Sequence, residues 1–300
     1  MKKFIIHTTI FCLLLGILFL ILLSRANGYT DPFYMRFTTA QKSNLIIGTS
    51  RAAQALRPDV FEDSLGKTFF NYAFTLPHSP FGETYLNSIK KKLDKTVKNA
   101  VFIVTVDPWS ISASGEDPND SLQFQERRLC LGTTSYVNMN PNFEYLIENF
   151  RGKYYTFLKT KKSDTYLHSD GWLEVNYEVD SITNLNNILN KVAIQKNEKL
   201  PLYNFSRVRL KQLENTITYL KNYGRVYLVR LPVHDKMFLV DESLMPNFDN
   251  IISCAITLSD GYFDMTPLNA DFKYTDGNHV KKESSSLVSA LIAEWIKNNE

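Results

Sequence analysis

Three side chains able to form an activated serine lie near the two ends of the chain. Ser50 follows an apolar run, 44–47, and a small pair, 48–49, whereas Asp276 and His279 stand three residues apart in a polar segment. A histidine can take the proton of a serine hydroxyl and later give it to a leaving group. An aspartate holds the imidazole in the required tautomer and stabilises its cation. These residue types predict a nucleophilic site made of Ser50, His279 and Asp276, if folding brings the two ends together.

Ser50 also fits a purely structural role. The run 44–47 has the length of a buried parallel strand, and 52–56 can begin a helix. Serine commonly caps a helix at such a strand-to-helix junction. The same junction places the hydroxyl beside free backbone N–H groups, which a developing oxyanion requires. The Asp276 and His279 pair favours the catalytic interpretation over the cap.

The elements that must position these residues follow a strand-helix alternation. Further apolar, β-branched or aromatic segments predict four more strands, and helical patterns separate them. The architecture predicted is α/β, a three-layer α/β/α flavodoxin-like doubly wound parallel sheet. In such a sheet the loops after the first and last strands meet at the carboxyl edge, so Ser50 can approach His279. The four strands are predicted at 67–73, 99–106, 225–231 and 261–265.

The N-terminal segment 1–25 predicts a membrane anchor. After Lys2 and Lys3 the stretch 4–23 is almost wholly apolar, long enough to cross a hydrocarbon core as a transmembrane helix. Lysines before a span favour a cytoplasmic N-terminus, which would place the remainder in the periplasm or another extracytoplasmic space. Small residues at 24–26 leave a cleaved signal peptide as the alternative.

The charge of the remaining chain excludes a basic nucleic-acid binder. Without Lys2, Lys3 and Arg25, 31 of the 34 basic residues remain, equal to the 31 acidic residues. The positive net charge therefore comes from the anchor, and no nucleic-acid partner is expected. Cys130 and Cys254 lie outside the anchor, and the sequence leaves open whether they pair.

After the anchor, the composition indicates one large domain. Residues 26–43 are polar and aromatic and are predicted to be a surface linker. The domain is predicted to span 44–300, with a helical and aromatic insertion at about 110–200 that interrupts the strand-helix alternation. This insertion is expected to pack over the carboxyl edge of the sheet.

The two end segments resemble the SGNH/GDSL hydrolase superfamily. Gly48-Thr49-Ser50 at the end of the first strand is similar to its first sequence block, and Asp276-Gly277-Asn278-His279 to its last. The resemblance covers 44–297 in outline. It implies that Ser50 is the nucleophile, His279 the general base and Asp276 its orienting partner.

The middle of the chain departs from that superfamily. The second block normally supplies a glycine N–H to the oxyanion hole, and here the strand ends in Asn71-Tyr72-Ala73. The third block normally supplies an asparagine, where this chain has Asp107-Pro108-Trp109. A carboxylate facing an oxyanion would repel it, so Asp107 is expected to point elsewhere or to be protonated. Asn71 is either the replacement donor or a turn residue.

Sequences that keep only the end blocks and carry an N-terminal anchor resemble the envelope branch of the superfamily, similar to DltD-like and alginate O-acetylation proteins. That resemblance implies O-acyl transfer or ester hydrolysis on an envelope polysaccharide or other acylated glycan, alongside a membrane-bound O-acyltransferase. It does not choose between transfer and hydrolysis. The alternative is a catalytically inactive protein of this fold that binds a glycan or such a partner.

Three more residues are candidates for substrate contact. Arg51, next to Ser50, fits either an anionic substrate group or a salt bridge. Trp109 is the preferred aromatic at the pocket rim. His234 follows the fourth strand and fits either a substrate contact or a structural role. No metal is expected, since His78 and His168 have no Cys, His or carboxylate partner at ligand spacing, and no cofactor is expected.

Overall fold

The strands of the computed structural model, which describes residues 1–158 and 162–299, form one large sheet and two small ones. In chain order they are β1 Asn44–Ile47, β2 Phe69–Asn71, β3 Ala100–Thr105, β4 Ser112–Ser114, β5 Thr165–Leu167, β6 Leu173–Val175, β7 Tyr203–Phe205, β8 Gly224–Arg230 and β9 Gly261–Asp264.

The helices range from single turns to an N-terminal helix of 22 residues. They are α1 Lys2–Leu23, α2 Ser50–Ala55, α3 Pro58–Leu65, α4 Glu83–Lys92, α5 Cys130–Thr133, α6 Phe143–Glu148, α7 Ser181–Ile194, α8 Arg207–Leu220, α9 Asp235–Leu244, α10 Phe248–Ile251, α11 Ser253–Leu258 and α12 Lys282–Asn298. Short 3₁₀ turns lie at Tyr34–Phe37, Ser121–Gln123, Gln125–Arg128, Tyr154–Phe157, Leu200–Leu202 and Thr266–Asp271, and a π turn, Gln195–Lys199, extends α7.

The large sheet has five parallel strands in the order β2-β1-β3-β8-β9. Numbered along the sheet-forming strands alone, this is the 2-1-3-4-5 order of a flavodoxin-like fold. The predicted doubly wound sheet is therefore confirmed. Strands β2, β3 and β9 are shorter than predicted by four, two and one residues, because apolar residues continue past the last ladder bond, whereas β8 has the predicted length and begins one residue earlier.

Both faces of this sheet are buried, which is why its strands read as continuous apolar runs. Along β3, Phe102 and Val104 join one core cluster, and Val101 and Ile103 join the other. Helices α4, α8 and α11 cover the first face, and helices α2, α3 and α12 cover the second. The result is the three-layer arrangement expected from the sequence.

The insertion contributes small elements around this frame. β5 and β6 form an antiparallel hairpin, and β4 pairs with β7. The segment 143–157 of the predicted helical and aromatic insertion forms two short pieces, α6 and the 3₁₀ turn Tyr154–Phe157. Cys130 is buried and Cys254 exposed, and both are free thiols.

The segment expected to be a surface linker contributes to the core instead. Tyr34, Arg36 and Phe37 are fully or almost fully buried. The Arg36 guanidinium donates to the carbonyl oxygens of Asn71 and Gly171 at 3.1 and 2.6 Å. Alternating polar and aromatic residues look like a solvated linker in sequence, yet the aromatic half packs and the arginine finds buried carbonyl partners.

Helix α1 is long and apolar enough to cross a membrane, with a mean hydropathy of 2.7 over its best window. None of that window is buried against the protein. Its last residue, Leu23, is completely buried in the core cluster that also holds Tyr34. The helix therefore joins the domain directly.

Candidate active site

The turn between β1 and α2 presents Ser50 at the carboxyl edge of the sheet. Ser50 is the first residue of α2, and Gly48 makes the turn. A Cβ atom at position 48 would lie 1.9 Å from Thr105 Oγ1, so only glycine fits against the neighbouring strand. The Gly48 carbonyl accepts a hydrogen bond from Ser79 Oγ at 2.7 Å, and its N–H donates to Tyr85 Oη at 3.1 Å. The backbone leading to Ser50 is therefore held from both sides.

The structure brings the two ends of the chain together at Ser50. His279 Nε2 lies 2.8 Å from Ser50 Oγ, and His279 Nδ1 lies 3.0 Å from both carboxylate oxygens of Asp276. With the carboxylate accepting from Nδ1–H, Nε2 is left as the acceptor for the serine hydroxyl. Nucleophile, base and orienting acid thus form one continuous chain of hydrogen bonds.

The loop carrying Asp276 and His279 is folded back on itself. The N–H of Thr275 donates to the His279 carbonyl at 2.9 Å, and Gly277 has a φ of 82°, a left-handed conformation that favours glycine. The N–H groups of Asn278 and His279 both donate to Asp276 Oδ1 at 3.0 Å. This local turn, rather than chance spacing, lets residues three apart share one pocket.

Burial and charge act in opposite directions on Asp276. Burial raises the pKa of this carboxyl. The charge and hydrogen bond of His279, together with the Lys191 ammonium, lower it by more than burial raises it, so the pKa lies well below the usual range. The carboxylate is therefore ionised at neutral pH. The side chains of His279 and Asp276 are 13% and 27% exposed, which leaves the site accessible to solvent.

Arg51 lies next to the nucleophile but points away from solvent into a polar cluster. It donates to Asp241 through Nη1 and Nη2 at 2.7 and 3.0 Å, and to Asn278 Oδ1 through Nε and Nη2 at 3.0 and 2.7 Å. Burial lowers the pKa of Arg51, but the carboxylates of Asp241 and Asp107 raise it more, so the guanidinium stays charged. Protein partners thus occupy Arg51, which fits the salt bridge considered from the sequence as the alternative to an anionic substrate group.

Trp109 belongs to the same cluster. Its indole N–H donates to Asp241 Oδ1 at 2.7 Å, and its ring packs edge-on against Tyr203 with centroids 5.4 Å apart. The side chain is only 3% exposed. The structure therefore places Trp109 beneath the site, where it supports Asp241, and not at the rim where the sequence predicted a substrate contact.

Asn71 is likewise committed to the protein. Its amide nitrogen donates to the carbonyl oxygens of Ala52 and Leu56 at 2.9 and 2.8 Å. Its amide oxygen accepts from the N–H of Ala73 at 3.1 Å. Both amide hydrogens are used and the residue is fully buried, so Asn71 has no donor left for an oxyanion. It holds helix α2, and thereby Ser50, against β2.

Asp107 lies three residues beyond Val104, which pairs with Ile47, just as Ser50 lies three residues beyond Ile47. Its Oδ1 accepts from the N–H of Ser110 at 2.9 Å, and its Oδ2 lies 3.9 Å from Arg51 Nη1. Burial raises the pKa of Asp107, although the Arg51 charge opposes this. The carboxyl is thus turned toward protein partners.

His234 contacts the triad loop through its backbone. The His234 N–H donates to the Gly277 carbonyl at 3.0 Å, and its Nδ1 accepts from the N–H of Lys236 at 3.2 Å, capping α9. The ring meets Tyr274 edge-on at 5.9 Å. These contacts fit the structural role considered from the sequence; a substrate contact stays a prediction.

Comparisons with known proteins give remote likenesses only. No family model matches the chain, and no curated protein matches it. Among solved structures, it is similar to the inhibitor-bound and native aryl esterase of M. smegmatis, with TM-scores of 0.37 and 0.35. It is also similar to Est24, a carbohydrate acetylesterase from Sinorhizobium meliloti, with a TM-score of 0.35.

In each of these matches the identity is 10% and the alignment covers 86% of this chain. It covers 100% of both aryl esterase chains and 99% of the Est24 chain. Since the TM-scores are low, functional conclusions rest on the geometry of this chain itself.

Two residues of the site could not be predicted from the sequence. Asp241 lies mid-helix in α9 with no motif around it, yet it is 1% exposed and receives hydrogen bonds from Arg51 and Trp109. Asn278 lies within the last motif, but its contact with Arg51 depends on the fold. In residues 1–158 and 162–299 no group of three His, Cys, Asp or Glu side chains is arranged to hold a metal ion.

Proposed function

We propose that the chain is an SGNH-like serine esterase or O-acyltransferase that works through an acyl-Ser50 intermediate. The observation that carries this is the hydrogen-bonded series Ser50, His279, Asp276, with the Ser50 Oγ to His279 Nε2 distance of 2.8 Å. Distances of this kind are what proton transfer from a serine nucleophile requires. A structural N-cap would not need a histidine on its hydroxyl.

The chemistry follows from the geometry. Ser50 Oγ attacks the ester carbonyl carbon while its proton passes to His279 Nε2, and the carbonyl oxygen becomes an oxyanion. When the ester C–O bond breaks, His279 returns the proton to the leaving alkoxide oxygen and the acyl group stays on Ser50. Water or an acceptor hydroxyl, deprotonated by His279, then attacks the acyl carbonyl carbon, and as the acyl–Ser50 bond breaks His279 returns the proton to Ser50 Oγ. Asp276 stabilises the imidazolium in both halves.

The oxyanion donors are proposed to come from the first turn of α2. The N–H groups of Tyr72, Ala73 and Phe74 all have partners, namely the Ile46 carbonyl, Asn71 Oδ1 and Ser79 Oγ. These three N–H groups therefore do not offer the donor that the superfamily takes from its second block. First-turn N–H groups of a helix have no partner within the helix, and the turn begins at Ser50 itself.

The proposal also includes where in the cell the domain works. The apolar helix α1 supports a membrane anchor with the domain outside the cytoplasm. A domain held there would meet acylated envelope polysaccharide, and it could exchange acyl groups with a membrane-bound O-acyltransferase. Hydrolysis and transfer share the acyl-Ser50 step and differ in the final acceptor.

A second candidate is a catalytically inactive glycan-binding or partner-binding protein of the same fold. The observation that favours it is the commitment of Asn71 and the residue 72–74 N–H groups to protein contacts, together with an acidic Asp107 beside the site. An enzyme with few oxyanion donors would be slow.

Intact-mass analysis after treatment with a fluorophosphonate separates the two candidates. The proposal expects one adduct on the full-length protein, no adduct on Ser50→Ala or His279→Ala, and an unchanged adduct on the control Ser121→Ala, which alters an exposed serine. A folded wild-type protein that stays unlabelled would refute the activated serine and support the binding role.

A further inference from the structure

The junction between α1 and the insertion has features of a lipid-binding surface. Helix α1 runs directly into the core, since the N–H groups of Arg25 and Ala26 still donate to the Leu22 and Leu23 carbonyls at 3.2 and 3.1 Å. The 3₁₀ turn Tyr154–Phe157 packs beside the helix, with the rings of Phe19 and Tyr154 edge-on at 5.9 Å. A part of the domain thus lies alongside the last turns of the span.

An apolar groove runs along this contact. Its volume is about 390 Å³, and its walls come from one side of α1 and from Leu158. Leu158 is 66% exposed, and the nearby Tyr155 is 64% exposed. The residues lining the groove are Leu15, Leu18, Phe19, Ile21, Leu22, Arg25 and Leu158.

The groove reaches into the bilayer if α1 spans it. Leu15 lies ten residues before Arg25, and at about 1.5 Å per residue this is roughly 15 Å of helix below the end of the span. Exposed leucine and tyrosine side chains beside these turns of α1 would meet acyl chains or the interfacial layer, where they are favourable. The groove is therefore continuous with the lipid-facing surface of the helix.

A cationic cavity begins where the groove ends. It has a volume of about 240 Å³ and shares Arg25 with the groove, while Lys153 lies on its other wall. In the described part of the chain neither cation has a carboxylate within 4 Å, and both are exposed. Lys153 Nζ lies 5.9 Å from the centroid of the Tyr155 ring, a contact that leaves its charge uncompensated. Two exposed cations at the end of a membrane span match the level and the charge of a lipid phosphate.

We propose that this junction binds an anionic phospholipid, with an acyl chain in the groove beside Leu158 and the headgroup phosphate between Arg25 and Lys153. The lipid would seat the domain on the outer face of the membrane at a fixed angle to α1. The inference goes beyond the proposed esterase chemistry and rests on the anchoring part of that proposal.

Depth-dependent quenching tests the seat. The background is the full-length protein with Cys12→Ala and Cys254→Ser, which keeps only the buried Cys130. An environment-sensitive dye is attached to this protein at Leu158→Cys. The labelled protein is placed in lipid nanodiscs that contain a spin-labelled phosphatidylcholine. The matched control is Leu239→Cys on α9, which has the same 66% exposure, and Leu14→Cys reports the span itself. We expect quenching at positions 158 and 14 and none at 239.

The quenching pattern distinguishes failure of the lipid site from failure of the membrane anchor. Quenching at position 14 with none at 158 would overturn the lipid seat and leave the anchor standing. No quenching at either position would overturn the anchor as well, while fluorophosphonate labelling of Ser50 in the same sample would show whether the proposed esterase chemistry survives.

Lipid retention tests the headgroup site. Native mass spectrometry of the full-length protein with mixed phosphatidylcholine and phosphatidylglycerol should show phosphatidylglycerol retained preferentially. Arg25→Gln with Lys153→Gln should lower this preference by about fivefold for each cation removed. The charge-matched control Lys98→Gln with Lys211→Gln should keep it, and equal loss in both pairs would refute a local site.

Discussion

Arg51 donates two hydrogen bonds, 3.0 and 2.7 Å long, to Oδ1 of Asn278. Each of these residues is the chain neighbour of a proposed catalytic residue, Ser50 on one side and His279 on the other. Since Asp241 fixes the other edge of the same guanidinium, the geometry of the Ser50 and His279 pair depends on a buried cation that touches neither.

Replacing Arg51 should separate charge from positioning. Arg51→Met leaves Asp241 without its cation, and breaking a buried pair in this way costs about 3–5 kcal/mol of unfolding free energy. Arg51→Lys keeps the charge but cannot reach Asp241 and Asn278 together. In this variant kcat should fall, while the free energy of unfolding should fall less than in Arg51→Met.

Urea unfolding and aryl acetate hydrolysis measure the two effects of Arg51. The control is Arg57→Met, since Arg57 is more exposed than Arg51 and its ion pair with Asp59 should contribute about 1 kcal/mol or less. A lysine variant with wild-type kcat would show that Arg51 has no positioning role.

Trp109→Phe should lower stability without changing KM. The variant keeps an aromatic ring beside Tyr203 but removes the donor to Asp241, and losing a buried hydrogen bond to a charged group costs about 1.5–3 kcal/mol. Thermal unfolding and a KM determination check this. Trp295→Phe is the control, as Trp295 stacks on Phe263. A raised KM with unchanged stability would instead support the substrate contact at the pocket rim that the sequence predicted for Trp109.

Asp276→Asn should lose activity and show a pH-dependent stability difference from the wild type. Because the native pKa of Asp276 lies below 3.8, the folded state holds fewer protons there than the unfolded state. Its carboxylate therefore stabilises the fold above about pH 4, and this contribution disappears as the pH falls through the native pKa. The unfolding free energies of the two proteins should differ most at pH 5–8, and the difference should narrow as the pH falls below about 4.

The same variant tests the orienting role in catalysis. An asparagine would favour the wrong imidazole tautomer, so kcat should fall by up to about 10⁴. Asp235→Asn is a control, because Asp235 is exposed at the start of α9 nearby. A parallel stability difference down to pH 3 would contradict the lowered pKa.

Gly48→Ala should disrupt the nucleophile turn, and Thr105→Ala should partly rescue it. The new Cβ would lie 1.9 Å from Thr105 Oγ1, a clash that removal of the hydroxyl relieves. Thr105→Ala alone loses one hydrogen bond to the Ile47 carbonyl, worth about 1 kcal/mol. Urea unfolding of the four proteins measures the coupling. Additive losses would show that the clash is not what excludes alanine.

Some of the architecture follows from patterns that act locally. The runs around β1 and β3 are apolar on both faces. Such a pattern is typical of a strand that helices cover on both sides, and it therefore predicts the parallel sheet. Strand ends were less predictable, because a ladder bond depends on the neighbouring strand as well as on propensity. The segment 26–43 shows the same limit, since burial of Arg36 depends on the carbonyl groups of Asn71 and Gly171.

The sequence alone determined the identity of the three proposed catalytic residues, because Ser50 follows a buried strand and the 276–279 turn forms from its own backbone. The tertiary structure decided the roles of Arg51, Asn71 and Trp109. All three carry donors that suit a substrate, and whether a donor meets substrate or protein depends on which buried acceptors the fold brings near it. Here Asp241 and the carbonyl groups of Ala52 and Leu56 take those donors, because an unpaired buried acceptor costs more than a hydrogen bond forgone to substrate.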